Sequence, residues 1–164
     1  MLPEKEGYMN RLQTIRTHTM VLEAAAEAVF PLLCPVREYD WIEPWRCRMI
    51  YSQSGFAEQD CIFQTDFAKD GPTETWMVCR YEPPHLIEFV RVSTMRAIRY
   101  TITLQPAEGG KTEAEWGQVI TGLTEEGDSL VEQEPAEAYR ARMEMLAERL
   151  NHYLKTGRML SHKA

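Results

Sequence analysis

From about residue 45 to residue 123 the chain reads as strand after strand, broken only by turn chemistry at Ser54-Gly55, Asp70-Gly71-Pro72, Pro83-Pro84 and Gly109-Gly110. The segments fall at about 45–53, 60–68, 73–82, 86–93, 96–105 and 112–123. Connections this short force neighbouring strands to run antiparallel, because a parallel pair needs a crossover of about a dozen residues. A further strand, LQTIRTHTMVL from Leu12 to Leu22, precedes them, since it is rich in β-branched residues and nearly alternating.

Helical text is confined to the two ends of that run. An alanine-rich stretch begins at Ala24 and must kink or stop at Pro31 and Pro35, and a short helix or turn is expected from Val36 to Trp41. From Pro135 to about Lys155, Tyr139, Met143, Leu146, Leu150 and Tyr153 recur at steps of three and four and make one apolar stripe. Glutamates 132, 134 and 137 suit the positive start of this helix, and Gly157 can end it. A helix of about 21 residues spans ~31 Å, close to the length of a nine-residue strand. The expected fold is therefore α+β: a seven-stranded antiparallel sheet curled around a long C-terminal helix in a helix-grip arrangement. One helix cannot plug the whole concave face of such a sheet, so a cavity is expected between them.

Composition limits what such a cavity can serve. The chain has 164 residues, enough to bury about 70% of its surface in one core, and it is read as a single domain over 1–164. Its structured core is placed at about 12–156, with flexible tails at 1–11 and 158–164. Lys plus Arg number 18 against 25 Asp plus Glu, and a net charge of −7 argues against a nucleic-acid partner. No transmembrane segment is expected, because no apolar stretch approaches the ~20 residues needed to cross a bilayer. The opening MLPEKEGYMNR lacks a signal-peptide core, so a cytoplasmic location is expected. Cys34, Cys47, Cys61 and Cys79 lie 13, 14 and 18 positions apart, which suits buried free thiols rather than a redox pair or zinc knuckle. The four histidines show no ligand spacing, and there is no P-loop, GxGxxG or GxSxG. No metal and no cofactor are expected.

Three passages, HTMVLEAAAEAVFPLL, YDWIEPW and TETWMVCRYEPPHLIEFVRV, together with the amphipathic C-terminal helix, resemble the SRPBCC, or START-like, superfamily over residues 12 to 156. That superfamily includes lipid-transfer domains, hormone binders, and polyketide cyclases and aromatases. The resemblance implies an apolar cavity for a lipid, polyketide, sterol or aromatic compound, and does not by itself say whether chemistry occurs there.

Alternation assigns the lining when charges are placed outward. Trp45, Cys47, Met49 and Tyr51 then face inward, as do Cys61, Phe63, Thr65 and Phe67, then Ile87, Phe89 and Arg91. Ile98, Tyr100, Ile102 and Leu104 form the next row, and Ala114, Trp116, Gln118 and Ile120 the last. Strand 73–82 is ambiguous: Arg80 outward favours Met77, Cys79 and Tyr81 inside, whereas the opposite phase buries Trp76. The candidate ligand-binding set is Trp41, Trp45, Met49, Tyr51, Phe63, Phe89, Arg91, Tyr100, Trp116, Gln118, Tyr139 and Met143. Trp41 and Trp45 are read either as a cavity mouth or as lids over a core edge. Arg91 inside must be paired, either structurally with a carboxylate or with an acidic ligand oxygen. Arg91, Tyr100 and Tyr51 are the candidate catalytic groups if the protein is a cyclase or dehydratase. The leading reading is a binding module for a hydrophobic small molecule. A cyclase- or aromatase-like enzyme and a domain acting on a partner through its surface are the alternatives, and the assembly is expected to be a monomer or homodimer.

Overall fold

Gln13–Leu22 forms β1, and its partner is not the next strand but the last. In the computed structural model, which describes residues 10–161, the sheet order is β1-β7-β6-β5-β4-β3-β2, antiparallel throughout. The other strands are β2 (Arg48–Tyr51), β3 (Ile62–Thr65), β4 (Glu74–Glu82), β5 (Leu86–Val92), β6 (Arg96–Pro106) and β7 (Thr112–Gly122). Consecutive strands from β2 to β7 pair with their sequence neighbours, as the short turns require. Helix α1 (Ala26–Val29) runs into a 3-10 turn at Phe30–Leu33 with Pro31 in its first turn, and a second 3-10 turn follows at Glu38–Asp40. Helix α2 (Glu125–Glu132) and the long α3 (Ala136–Thr156) close the chain.

Helix α3 presents Tyr139, Met143 and Leu150 to the sheet, fully buried, with Leu146 and Tyr153 packed beside them. It ends at Gly157, whose φ of 67° is the left-handed conformation that glycine adopts without penalty. Asn151 fastens it to the sheet: its Nδ2 donates to the Val21 carbonyl at 3.0 Å, and its Oδ1 accepts from the Glu23 N–H at 2.8 Å. The seven strands and the closing helix are those the sequence predicts.

Three features depart from the sequence reading. The second strand begins at Arg48, not 45, because the Cys47 N–H donates to the Tyr39 hydroxyl at 2.8 Å instead of joining the ladder. A register shift between Met49 and Tyr51 then turns Tyr51 outward, leaving it 62% exposed. A second shift lies between Val78 and Arg80, so Trp76 and Val78 face inward while Met77 is exposed, and Tyr81 returns to the core side. The preferred phase of this strand is therefore corrected at Met77 and holds at Tyr81. Helix α2, absent from the sequence reading, starts at Thr124, whose side chain accepts from the Gly127 N–H. Gly127 is required there, since a Cβ would stand 1.8 Å from the Met95 carbonyl oxygen. Asp128 of this helix accepts from the Leu12 N–H and Arg11 Nη1, so the described end of the expected N-terminal tail is tied down. The remainder of the two expected tails, 1–9 and 162–164, lies outside the described residues. All four cysteines are free thiols.

The strand ends nearest α2 are joined by a buried ion cluster. Glu74 on β4 is fully buried and accepts from Nε and Nη2 of Arg91 on β5 and from Nε and Nη2 of Arg96 on β6. Asp70, in the 3-10 turn Ala68–Asp70, takes a further bond from each arginine at 3.1 and 3.2 Å. Two guanidiniums thus meet two carboxylates, and the charges cancel where solvent is excluded. Replacing Glu74 by Gln leaves two buried arginines with one carboxylate. Urea unfolding of E74Q is expected to show a loss of about 3–5 kcal/mol, and a loss below about 1 kcal/mol would mean that water screens the cluster.

Candidate functional site

Five adjacent strands each contribute one aromatic ring to the concave face: Phe63 from β3, Trp76 from β4, Phe89 from β5, Tyr100 from β6 and Trp116 from β7. Successive centroids lie 5.2 to 6.1 Å apart, with Phe63 stacked on Trp76 at 21° and most other pairs edge-to-face. Trp76 is held firmly. Its Nε1 donates to Thr65 Oγ1 at 2.9 Å, and the Arg91 guanidinium carbon lies 4.2 Å from its ring centroid. The ion cluster thereby fixes the ring as well as the strand ends.

This belt forms the floor of a cavity of about 450 Å³ under α3. Met143 and Leu146 of α3 form the roof, and Ile42, Pro44, Trp45 and Phe67 line the side nearest the β1–β2 connection. Arg142, Met145 and Arg149 of α3 also line it, with Arg149 Nη1 donating to the Glu43 carbonyl. The volume lies within the usual range for small-molecule sites, and the wall is mostly apolar, with as many charged residues as aromatic ones among its lining.

Of the candidate residues, Trp45, Phe63, Phe89, Arg91, Tyr100, Trp116 and Met143 line this cavity. Trp41 does not: it is completely buried in the core, with its Nε1 donating to the Leu32 carbonyl at 2.9 Å. Of the two tryptophans, Trp41 is the core lid and Trp45 the cavity wall, anchored by its Nε1 on the Pro35 carbonyl at 2.8 Å. Met49 packs against the core without reaching the cavity, and Tyr51 leaves the interior at the β2 register shift. Gln118 and Tyr139 line a second, smaller chamber next to the first. Arg91 is inside and paired with Glu74 and Asp70, which is the structural alternative for that residue.

Several charged groups in the wall, Glu38, Glu43, Lys69, Asp70, Arg142 and Arg149, were not among the candidate residues. Glu38, in the short 3-10 turn before Trp41, lines the cavity, and its carboxyl has no hydrogen-bond partner among the described residues. Burial pushes its pKa up to about 8, against the attraction of Arg91, so it is mostly protonated at neutral pH. Its neighbours Asp40 and Glu43 are unlike it: Asp40 accepts from Arg37 Nε at 2.9 Å in a partly exposed pair, and Glu43 is exposed. The only sequence hint of Glu38 was its position within the short helix or turn expected from Val36 to Trp41. Tyr100 also has a hydroxyl without a protein partner, and burial holds its pKa far above the usual phenol value, so it remains a donor. Among the described residues there is no group of three or more His, Cys, Asp or Glu able to hold a metal ion, and no helix is long and apolar enough to cross a membrane.

No family model and no curated relative matches the chain. Solved structures do. A norcoclaurine synthase point mutant from Thalictrum flavum, in complex with a transition-state analogue, superposes with a TM-score of 0.67 at 11% identity, covering 92% of this chain and 99% of the other. The same plant's norcoclaurine synthase in complex with dopamine and hydroxybenzaldehyde gives 0.63 at 12% identity over 94% and 90%. CalU16 from Micromonospora echinospora gives 0.56 at 15% identity over 91% and 88%. At such identities the likeness is one of fold. With its curled seven-stranded sheet closed by one long helix, the chain shares the helix-grip fold of these structures.

Proposed function

We propose that the protein binds a hydrophobic small molecule with an aromatic or similarly flat apolar body in the cavity between the sheet and α3. The five-ring belt carries this reading. Rings from five strands are fixed by packing and by the ion cluster, yet α3 does not close over them, and the space left is of ligand size. Pre-positioned rings lose little conformational entropy on binding, which favours affinity for a flat guest. The norcoclaurine synthase complexed with dopamine and hydroxybenzaldehyde is consistent with ring-bearing guests in this fold.

The fluorescent probe N-phenyl-1-naphthylamine tests the reading directly. It is expected to bind saturably with a blue-shifted emission, and Leu146→Trp, which fills the roof, is expected to weaken it by about tenfold or more. Absence of binding, or binding indifferent to L146W, overturns the cavity reading.

A second reading, proton transfer on the bound molecule, is favoured by Glu38 and Tyr100. Both face the guest with no protein partner, and a carboxyl that titrates near neutrality can both give and take a proton. In this reading Glu38 is the acid–base group, and Tyr100 donates to a carbonyl or enolate oxygen, as a cyclase or dehydratase would require.

The titration has a definite sign. Below about pH 4.5 the folded and unfolded chains both hold the Glu38 proton; between there and about pH 8 only the folded chain does. Stability relative to Glu38→Gln is therefore expected to fall as pH rises through that window and to level off above it, by up to about 5 kcal/mol. Urea midpoints of the two proteins from pH 5 to 9 measure this, and parallel curves would show that Glu38 titrates normally.

A further inference from the structure

The chamber beside the aromatic cavity has the opposite chemistry. It measures about 230 Å³ and is lined by β1, β7, α2 and the start of α3. Lys69, Asp70, Arg91 and Arg142 line both spaces and so stand on their border. Five cationic side chains, Arg16, Lys69, Arg91, Arg96 and Arg142, face this small chamber. Against them stand Asp70 and Glu134 in the wall, and Glu74 buried beside Arg91 and Arg96. This local positive excess arises in a chain whose net charge is −7.

The cations are not equally committed. Arg91 and Arg96 are held by Glu74 and Asp70. Arg142 donates Nε and Nη2 to Glu134 Oε1, which leaves its Nη1 unengaged. Arg16 meets only uncharged acceptors: Thr14 Oγ1, the Ile15 carbonyl and the Glu134 backbone carbonyl. Its Nε is buried with no partner at all. Lys69 makes no hydrogen bond or ion pair among the described residues. Arg16, half-buried, and Lys69, exposed at the rim, are two cations without a carboxylate, and together they make the potential in this concave chamber positive. An unpaired buried donor is costly unless something occupies the site.

Resting on the proposed apolar-cavity function, we propose that the guest is amphipathic: its apolar body lies on the aromatic belt, and an anionic group, a carboxylate or phosphate-type oxyanion, enters the adjoining chamber to meet Lys69, Arg142 and Arg16. The border residues set the geometry, since a molecule lying along the belt has its end beside Lys69 and Arg142. Gln118 and Tyr139, both buried, line this chamber and give the headgroup a polar wall.

Two dyes with the same ring system separate the body from the head. 8-Anilino-1-naphthalenesulfonate carries an anionic group that N-phenyl-1-naphthylamine lacks. The anionic dye is expected to bind about tenfold tighter than the neutral one at low salt, and the advantage is expected to shrink as salt is raised. Arg16→Gln is expected to remove most of that advantage while shifting the neutral dye less than about twofold. Lys69→Gln, at an exposed position, provides the same comparison if R16Q does not fold. Displacement of the neutral dye by dodecanoate, dodecyl phosphate and dodecanol then identifies the head: either anion outcompeting the alcohol supports the site and names its oxyanion. Equal binding of the two dyes, or dodecanol displacing as well as the anions, overturns the anionic chamber but leaves the apolar cavity intact. Failure of the neutral dye to bind overturns the cavity reading itself.

Discussion

A single buried carboxylate, Glu74, sets much of this architecture. With no exposure to solvent it needs compensation, and it receives four hydrogen bonds from two arginines on the next two strands. Removing such groups from water is expensive, and their mutual attraction and hydrogen bonding must offset that cost. The arrangement that does so pins the β4, β5 and β6 ends in one relative position and brings the Asp70 turn down onto them. It also lays the Arg91 guanidinium on Trp76, so the charge cluster and the aromatic belt share a side chain. The apolar floor of one chamber and the charged wall of the next are thus parts of one network.

Much of the fold was legible because sheet and helix periodicities are local. Alternation gave the inner rows of β3, β5, β6 and β7, and the three-and-four spacing gave the buried face of α3. What failed has a common physical cause. A bulge inserts an extra residue and reverses the phase downstream, so charge placement alone assigned Tyr51 inward and Met77 inward. The phase of β4 was ambiguous, and its favoured choice fails in the first half of the strand because Arg80 lies beyond the shift and says nothing about Trp76. Helix α2 carried readable signals, Thr124 as a cap with Glu125, Glu126 and Asp128 in the first turn, but it is short and follows a long strand directly.

The site was less legible than the fold. Arg91 was found because a charge at an inward strand position is conspicuous. Glu38 and Lys69 were not, because both sit in 3-10 turns, where no periodicity says which way a side chain points. Trp41 and Trp45 looked alike in sequence and were separated only by which backbone carbonyl each indole reaches. Tertiary placement, not residue type, made one of them core and the other wall.

The belt also separates scaffold from shape. Each of its rings comes from a different strand, and the sheet is held by backbone ladders that do not involve those side chains. Substituting one ring alters the contour of the floor at one place without changing register or pairing. A lineage built on this plan can therefore drift from one guest to another in single steps, each confined to one strand. Trp76 is the exception, because its ring is tied to the ion cluster, so divergence should pass around it and treat it as the fixed point of the pocket.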